Sequence, residues 1–103
     1  MRTIRSKEFT ADTAWASLPI ANLQGITVKL HWTDKAYKWH VNDGQEVFAV
    51  MDGTVAMHFK RDGIEDVTLL QAGDIFYADA GTEHVAHPQG IARVLVIEKE
   101  GSV

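Results

Sequence analysis

From Gly25 onward the chain alternates between short apolar runs and clusters of turn residues, and no window holds a helical period. The Asp-Gly pairs at 52–53 and 62–63 tolerate positive φ and are typical of hairpin turns. Closely spaced strands with tight turns predict an all-β fold, an antiparallel sandwich or barrel. The strands are predicted near Ile26 to Trp32, Glu46 to Met51, Thr54 to Lys60, Val67 to Leu70, Asp74 to Ala78 and Ala92 to Lys99.

Alternation within the strands predicts which side chains share a face. In the first strand the apolar residues from Ile26 to Trp32 lie on one side, so we expect His31 to point away from the core. In the second strand, a cavity-facing Glu46 would put Phe48 and Val50 on the same side. The opposite side is then also apolar, since it carries Val47, Ala49 and Met51. A strand apolar on both faces favours a subunit interface, and we therefore expect a homodimer.

The N-terminal residues lack this clear pattern. Residues 10–19 are compatible with a short helical turn or an irregular wrap that ends before Pro19. We interpret residues 1–24 as a segment that wraps the barrel, residues 25–100 as the barrel, and the chain 1–103 as one domain. The apolar residues of the wrapping segment should pack against the barrel or a partner subunit, and they are Phe9, Trp15, Leu18 and Ile20.

Composition limits the classes of function. A chain of 103 residues with a net charge of -4 lacks the positive field that nucleic acid requires, so no nucleic-acid partner is expected. No apolar stretch is long enough for a membrane span, and residues 1–8 lead into no secretion-signal core, so we expect a cytoplasmic protein without membrane contact. Cysteine is absent, which restricts any metal to nitrogen and oxygen ligands.

Three residues stand out as metal ligands if the fold brings them together. His40 and Glu46 lie close in sequence, and His84 follows much later. Two imidazoles and one carboxylate suit Fe, Mn, Ni, Co or Zn and leave positions open for a substrate or water. Asn42 is two residues from His40, so on a strand it would project to the same face and add an amide oxygen.

The spacing of these residues resembles the two motifs of the cupin superfamily. His40, Glu46 and Gly53 match the first motif, and Gly73, Gly81 and His84 match the second. The resemblance covers most of the chain after Gly25 and is that of a small single-domain cupin of the conserved-barrel type 2 class. It implies a double-stranded β-helix, or jelly roll, with a mononuclear divalent metal held by His40, Asn42, Glu46 and His84.

Four positions depart from the cupin pattern. Asp34, Asp79 and Pro88 replace residues at turns or loop ends, where they matter little for the fold. Asn42 stands where the second histidine would be, and that histidine is normally a metal ligand. The substitution should weaken the affinity for borderline metals, since an amide oxygen is a harder donor than imidazole.

Three functions remain open from the sequence. The first is a metal-dependent cupin, oxygenase-like or isomerase-like, that acts on a small organic molecule. The second is a non-catalytic cupin that binds a small molecule or a sugar with a weakened or absent metal site. The third is a metal-free, hydrogen-bonded polar cluster that binds a ligand or stabilises the barrel. Whether the protein is an enzyme stays open, because a fold does not select a reaction and no separate acid/base pair is visible.

The other candidate residues favour structural interpretations. His58 is expected at the surface or an interface, and His87 at the rim of the barrel. Trp39 could line the cavity mouth or pack outside. Glu83 is expected to be a solvated loop carboxylate. The aromatic residues expected in the core are Phe48, Phe76 and Tyr77.

Overall fold

A computed structural model describes residues 1–102, which form nine β-strands and one short 3-10 helix, Ser6–Glu8. In chain order the strands are β1 Ala16–Asn22, β2 Ile26–Thr33, β3 His40–Val41, β4 Glu46–Asp52, β5 Thr54–Arg61, β6 Ile64–Gln71, β7 Ile75–Ala78, β8 Glu83–Pro88 and β9 Ala92–Lys99. All six predicted strands are present. Three strands, β1, β3 and β8, were not predicted. Strand β3 has only two residues, β8 has an irregular hydrophobic pattern, and β1 contains a proline.

The strands form two antiparallel sheets that face each other. One sheet has the order β1-β2-β9-β4-β7 and the other the order β3-β8-β5-β6. Neighbouring strands in each sheet are mostly distant in sequence, as in a jelly roll, so the predicted all-β cupin-type barrel is confirmed. None of the helical structure in residues 1–102 has the length and apolarity of a bilayer-crossing helix.

The core fills the space between the two sheets. Strand β4 contributes Phe48 and Val50, which face inward with Glu46 as the alternation predicts. Strand β5 contributes Val55 and Met57 from the opposite sheet, and both are fully buried. The apolar core therefore occupies one part of the barrel, and the inward-facing polar residues occupy the other.

The prediction for the faces of β2 is wrong. Lys29 and His31 point into the barrel, whereas Leu30 and Trp32 are buried on the outer face of the sheet. Arg93 is the register partner of Trp32, and its Nε donates to the carbonyl of Phe9 at 2.8 Å, which holds the N-terminal segment against this outer face. Alternation separates the two faces of a strand, but it does not tell which face the rest of the chain covers.

The N-terminal segment contains a strand rather than the helical turn considered for residues 10–19. Strand β1 pairs with β2 along the edge of the larger sheet, with an irregularity between Pro19 and Ala21. Proline is tolerated there because an edge strand need not donate every backbone hydrogen bond. The assignment of all residues 1–24 to a wrap outside the barrel is therefore wrong for Ala16–Asn22.

Gly53 closes the β4–β5 hairpin at a point where a side chain does not fit. Its φ is +82°, and a Cβ atom there would lie 2.4 Å from the carbonyl oxygen of Ile91. This close approach brings the hairpin against the start of β9. It explains physically why a glycine ends the first motif.

Candidate metal centre

His40, Glu46 and His84 meet inside the barrel although they come from three strands in two sheets. His40 on β3 and His84 on β8 are register partners, and Glu46 begins β4 in the facing sheet. One ligand atom from each side chain lies within 4.8 Å of the other two, so the group could hold a metal ion. The imidazole ring centroids of the two histidines are 4.2 Å apart.

Backbone carbonyl groups orient both imidazoles. Nδ1 of His40 lies 3.0 Å from the carbonyl oxygen of Lys38, and Nδ1 of His84 lies 3.3 Å from that of Thr82. A nitrogen that donates to a carbonyl must carry the ring proton, so the Nε2 atom of each neutral imidazole is left with a free lone pair. Metal-binding histidines are commonly oriented in this way, by donating the ring N–H that faces away from the metal to a backbone carbonyl.

The contact between His84 and Glu46 fits a bridging cation. Nε2 of His84 lies 3.0 Å from Oε1 of Glu46, and both residues are buried. If Nδ1 of His84 carries the proton, two lone pairs face each other, and a proton or a metal ion is required between them. Ligand bonds of about 2.1 Å at a right angle would separate two ligand atoms by about 3.0 Å, so the donor set fits a metal ion.

The backbone of Asn42 is hydrogen-bonded to the loop between β7 and β8. It follows the end of β3, where its N–H donates to the carbonyl of Thr82 and its own carbonyl accepts from the N–H of Gly81. Its side chain is buried and its Nδ2 atom has no hydrogen-bond partner among the described residues. Asn42 is not among the residues that line the cavity. Its role as a metal ligand stays a prediction.

The three side chains border a cavity of about 180 Å³. For comparison, an apolar cavity of about 150 Å³ accommodates benzene. The cavity wall combines the candidate ligands with aromatic, aliphatic and charged residues, which are Trp15, Lys29, His31, Tyr37, His40, Glu46, Phe48, His84, Ala86, Val96, Glu98 and Ser102. Such a mixed wall is suited to a small organic molecule.

Sequence reasoning missed several of the polar residues in this cavity, above all Lys29, His31 and Glu98. Lys29 and His31 were missed because the apolar face of β2 was expected to be the inner one. Glu98 was missed because it lies near the end of an otherwise apolar strand. A polar face of Thr27, Lys29 and His31 on a central strand of the barrel was the available signal.

Glu98 is the titratable neighbour of the candidate metal ligands. It is the register partner of Glu46 on the adjacent strand. Burial raises the pKa of Glu98 from 4.5 to about 7, with a further contribution from the negative charge of Glu46. Glu98 can therefore exchange a proton near neutral pH, which makes it a candidate acid/base group that the sequence did not single out.

Burial also keeps two histidines of the cavity neutral. Desolvation lowers the pKa of His31 and of His40 below 6.5, and in both cases a backbone carbonyl contact opposes it. The positive charge of Lys29 contributes to the lowering at His31, and His84 contributes at His40. A neutral imidazole is the form that binds a metal, so the His40 environment suits a ligand.

The remaining candidate residues lie outside the cavity wall. His58 and His87 pack edge to face on the outer face of the smaller sheet with ring centroids 4.6 Å apart, so His58 lies at the surface as expected. Trp39 packs outside, beneath Nζ of Lys60. Glu83 is exposed, as expected, but lies on β8 and forms an ion pair with Lys60.

Two of the three aromatic residues expected in the core lie there. Phe48 is buried and Phe76 packs against the core cluster. Tyr77 is exposed, because the parity of β7 turns it to the outer face of the larger sheet opposite Val47.

Comparison with known proteins identifies the family. The model of the cupin domain family matches residues 28–98, which is more than half of the chain, so the chain belongs to the cupin family. This match covers both motifs that carry the candidate ligands. No curated protein matches the chain.

Solved structures with the same fold include a bacterial cupin-2 domain containing protein and a dioxygenase. A cupin-2 domain containing protein from Shewanella frigidimarina is 30% identical with a TM-score of 0.76, and the alignment covers 87% of this chain and 85% of that one. TT1209 from Thermus thermophilus is 22% identical with a TM-score of 0.78, covering 96% and 97%. The hydroquinone 1,2-dioxygenase PnpCD, in complex with Fe3+, is 19% identical with a TM-score of 0.77, covering 87% and 29%.

Proposed function

We propose that this protein is a metal-dependent cupin in which His40, Glu46 and His84 bind one divalent metal ion and the adjoining cavity receives a small organic molecule. The observation that carries the proposal is the 3.0 Å separation between Nε2 of His84 and Oε1 of Glu46, with Nδ1 of each histidine directed at a backbone carbonyl. When a metal ion takes the place of the proton between these two atoms, the arrangement directs the lone pairs of both imidazoles and of the carboxylate to a common point.

The donor atoms limit the metal to a class of divalent ions. Two imidazoles and one carboxylate suit Fe, Mn, Ni, Co or Zn. When bound, such an ion supplies a Lewis acid or a site for dioxygen. The residues around it would then hold the substrate, exclude bulk water and, at Glu98, accept or donate a proton.

The likeness to hydroquinone 1,2-dioxygenase supports this function only at the level of the fold. That enzyme binds Fe3+, and it has also been determined with Cd2+ and 4-hydroxybenzonitrile. At 19% identity or less the reaction does not transfer to this chain. The proposal of an oxygenase-like or isomerase-like class of reaction rests on the site alone. The particular reaction is left unassigned.

Elemental analysis of untagged protein tests the metal site. We expect near-stoichiometric metal in the parent, and loss of most of it in Glu46→Gln, which keeps the shape of the side chain but removes the charge. Asn42→His should increase the affinity by restoring the missing imidazole. An empty parent that acquires metal only in Asn42→His would contradict the proposal.

The alternative is a non-catalytic cupin that binds a small molecule or a sugar. Asn42 favours it, because the chain lacks the second histidine of the first motif and Asn42 does not line the cavity. A screen of oxygen consumption and metabolite turnover on metal-loaded protein separates the two functions. Turnover of any substrate class excludes the alternative, and binding without turnover favours it.

We also propose that the protein is a homodimer. The outer face of the larger sheet leaves Met51, Ile75 and Tyr77 exposed. Apolar residues on a sheet face that is not fully covered support an interface with a second copy. Light scattering coupled to size-exclusion chromatography tests this, and a mass of 11.4 kDa at micromolar concentration would contradict it.

A further inference from the structure

The cavity contains a lysine whose charge has no partner. Lys29 lies on β2 and lines the cavity together with Glu46 and His84. Within residues 1–102, its ammonium group takes part in none of the ion pairs, whereas Lys60 and Arg93 on the outer surface each pair with a carboxylate. A partly buried ammonium without a partner is costly unless water or an anion compensates it.

The nearby carboxyl group of Glu98 attracts Lys29 without forming an ion pair with it. Glu98 pairs in register with Thr27, so Lys29 and Glu98 are diagonal neighbours on the inner face of β2 and β9. Diagonal neighbours have Cα atoms about 7–8 Å apart, and no ion pair forms between these two side chains. Glu98 is instead directly opposite Glu46.

The charge of the metal-loaded cavity favours an anion. A divalent ion and Lys29 supply three positive charges, while Glu46 and Glu98 supply at most two negative ones. Imidazoles that bind a metal are neutral, so His40 and His84 add no charge, and burial lowers the pKa of His31. At least one positive charge is therefore left uncompensated, and without the metal the net charge of these groups is zero or negative.

We propose that Lys29 is a specificity-determining residue that binds the carboxylate of a small organic acid in the metal-loaded cavity. This inference rests on the proposed metal-dependent function. The body of the acid would contact Trp15, Tyr37 and Phe48, which supply apolar and aromatic surface in the same cavity. A volume of about 180 Å³ limits the ligand to about the size of benzoate.

Calorimetric titration with benzoate and its neutral analogue benzamide tests this role. On zinc-loaded protein, benzoate should bind at least about tenfold more tightly than benzamide, because only the acid carries a negative charge that forms an ion pair with Lys29. Lys29→Met and Lys29→Gln should each weaken benzoate binding about ten- to a hundredfold and weaken benzamide binding much less. Lys29→Arg keeps the charge and should weaken it less.

The control variant is Lys35→Met, which removes an exposed lysine outside the cavity wall and should not change either affinity. Equal binding of benzoate and benzamide, or unchanged benzoate affinity in both Lys29→Met and Lys29→Gln, would overturn the inference. Thermal unfolding of each variant identifies any that are misfolded. If one of Lys29→Met and Lys29→Gln does not fold, the other still tests the role of Lys29.

Metal content separates this inference from the proposed function. If the zinc is bound and the acid is not preferred, only the role of Lys29 fails. If no zinc binds but benzoate is still selected through Lys29, the metal-dependent function fails, and Lys29 binds the acid without the charge of the metal. If no zinc binds and benzoate is not preferred, both fail.

Discussion

In metal-free protein, replacing Glu46 with glutamine should lower the pKa of Glu98, because it removes the like charge directly opposite on the neighbouring strand. The pKa of Glu98 is about 7 in the folded protein, chiefly through burial and secondly through Glu46. Two unit charges about 6 Å apart repel by about 3 kcal/mol at an effective dielectric constant of about 20.

Water in the half-open cavity screens this repulsion and reduces its effect. We expect the titration midpoint of Glu98 to fall by about one pH unit in Glu46→Gln, which corresponds to about 1.4 kcal/mol. Burial is unchanged in this variant, so the midpoint should stay above the ordinary value of 4.5.

Carbon-detected NMR of the glutamate side chains, recorded between pH 4 and 9, measures both midpoints, and a Glu98→Gln variant assigns the resonance. A parent midpoint near 4.5 would refute the burial argument. A midpoint near 7 that does not move in Glu46→Gln would refute the role of the neighbouring charge and assign the whole effect to burial.

The same shift makes stability depend on pH. Folding raises the pKa of Glu98, so between about pH 4.5 and 7 the folded state binds more protons than the unfolded state. The free energy of unfolding therefore falls as the pH rises from about 4.5 to 7, because ionised Glu98 is less stable in the folded protein than in the unfolded chain. Glu98→Gln should remove this loss of stability. It should raise the Tm relative to the parent more at pH 8 than at pH 4.5.

Three further predictions concern the scaffold and the first ligand. Arg93→Met removes the hydrogen bond to the carbonyl of Phe9 and the partly buried ion pair with Asp52. It should lower the free energy of unfolding by about 2 kcal/mol and the Tm by about 10 °C in thermal unfolding. A fall in Tm under about 2 °C would contradict this. Gly53→Ala should cost about 2–4 kcal/mol in denaturant unfolding, because a Cβ atom would meet the backbone of Ile91. Gly63→Ala is the matched control, since Gly63 also has positive φ but open space around it, and equal costs would refute the steric argument. In metal-free protein, His40 should titrate below pH 6.5 by proton NMR, because burial lowers its pKa; a midpoint above 6.5 would show that the charge of Glu46 outweighs burial.

The hydrophobic pattern was sufficient to predict most strands of the barrel. It was insufficient to predict the short and irregular strands. Strands with long apolar runs, such as β4 and β9, were predicted from the sequence because at least one face of each must be buried whatever the neighbours are. Strand β3 has only two residues, and its pairing with β8 depends on a partner more than forty positions away in the chain. No local pattern encodes such a pairing.

The chain by itself determined the ligand chemistry. Without cysteine, and with His40, Glu46 and His84 at motif spacing, only nitrogen and oxygen donors could form a metal centre. The tertiary structure decided which face of each strand lines the inside of the barrel. Because the N-terminal segment packs on the outer face of this sheet through Arg93, the polar face with Lys29 and His31 turns into the barrel, on the same sheet as Glu46 and Glu98. Which of two faces becomes the inside depends on the segments that pack on each, and that information lies in contacts between residues distant in the sequence.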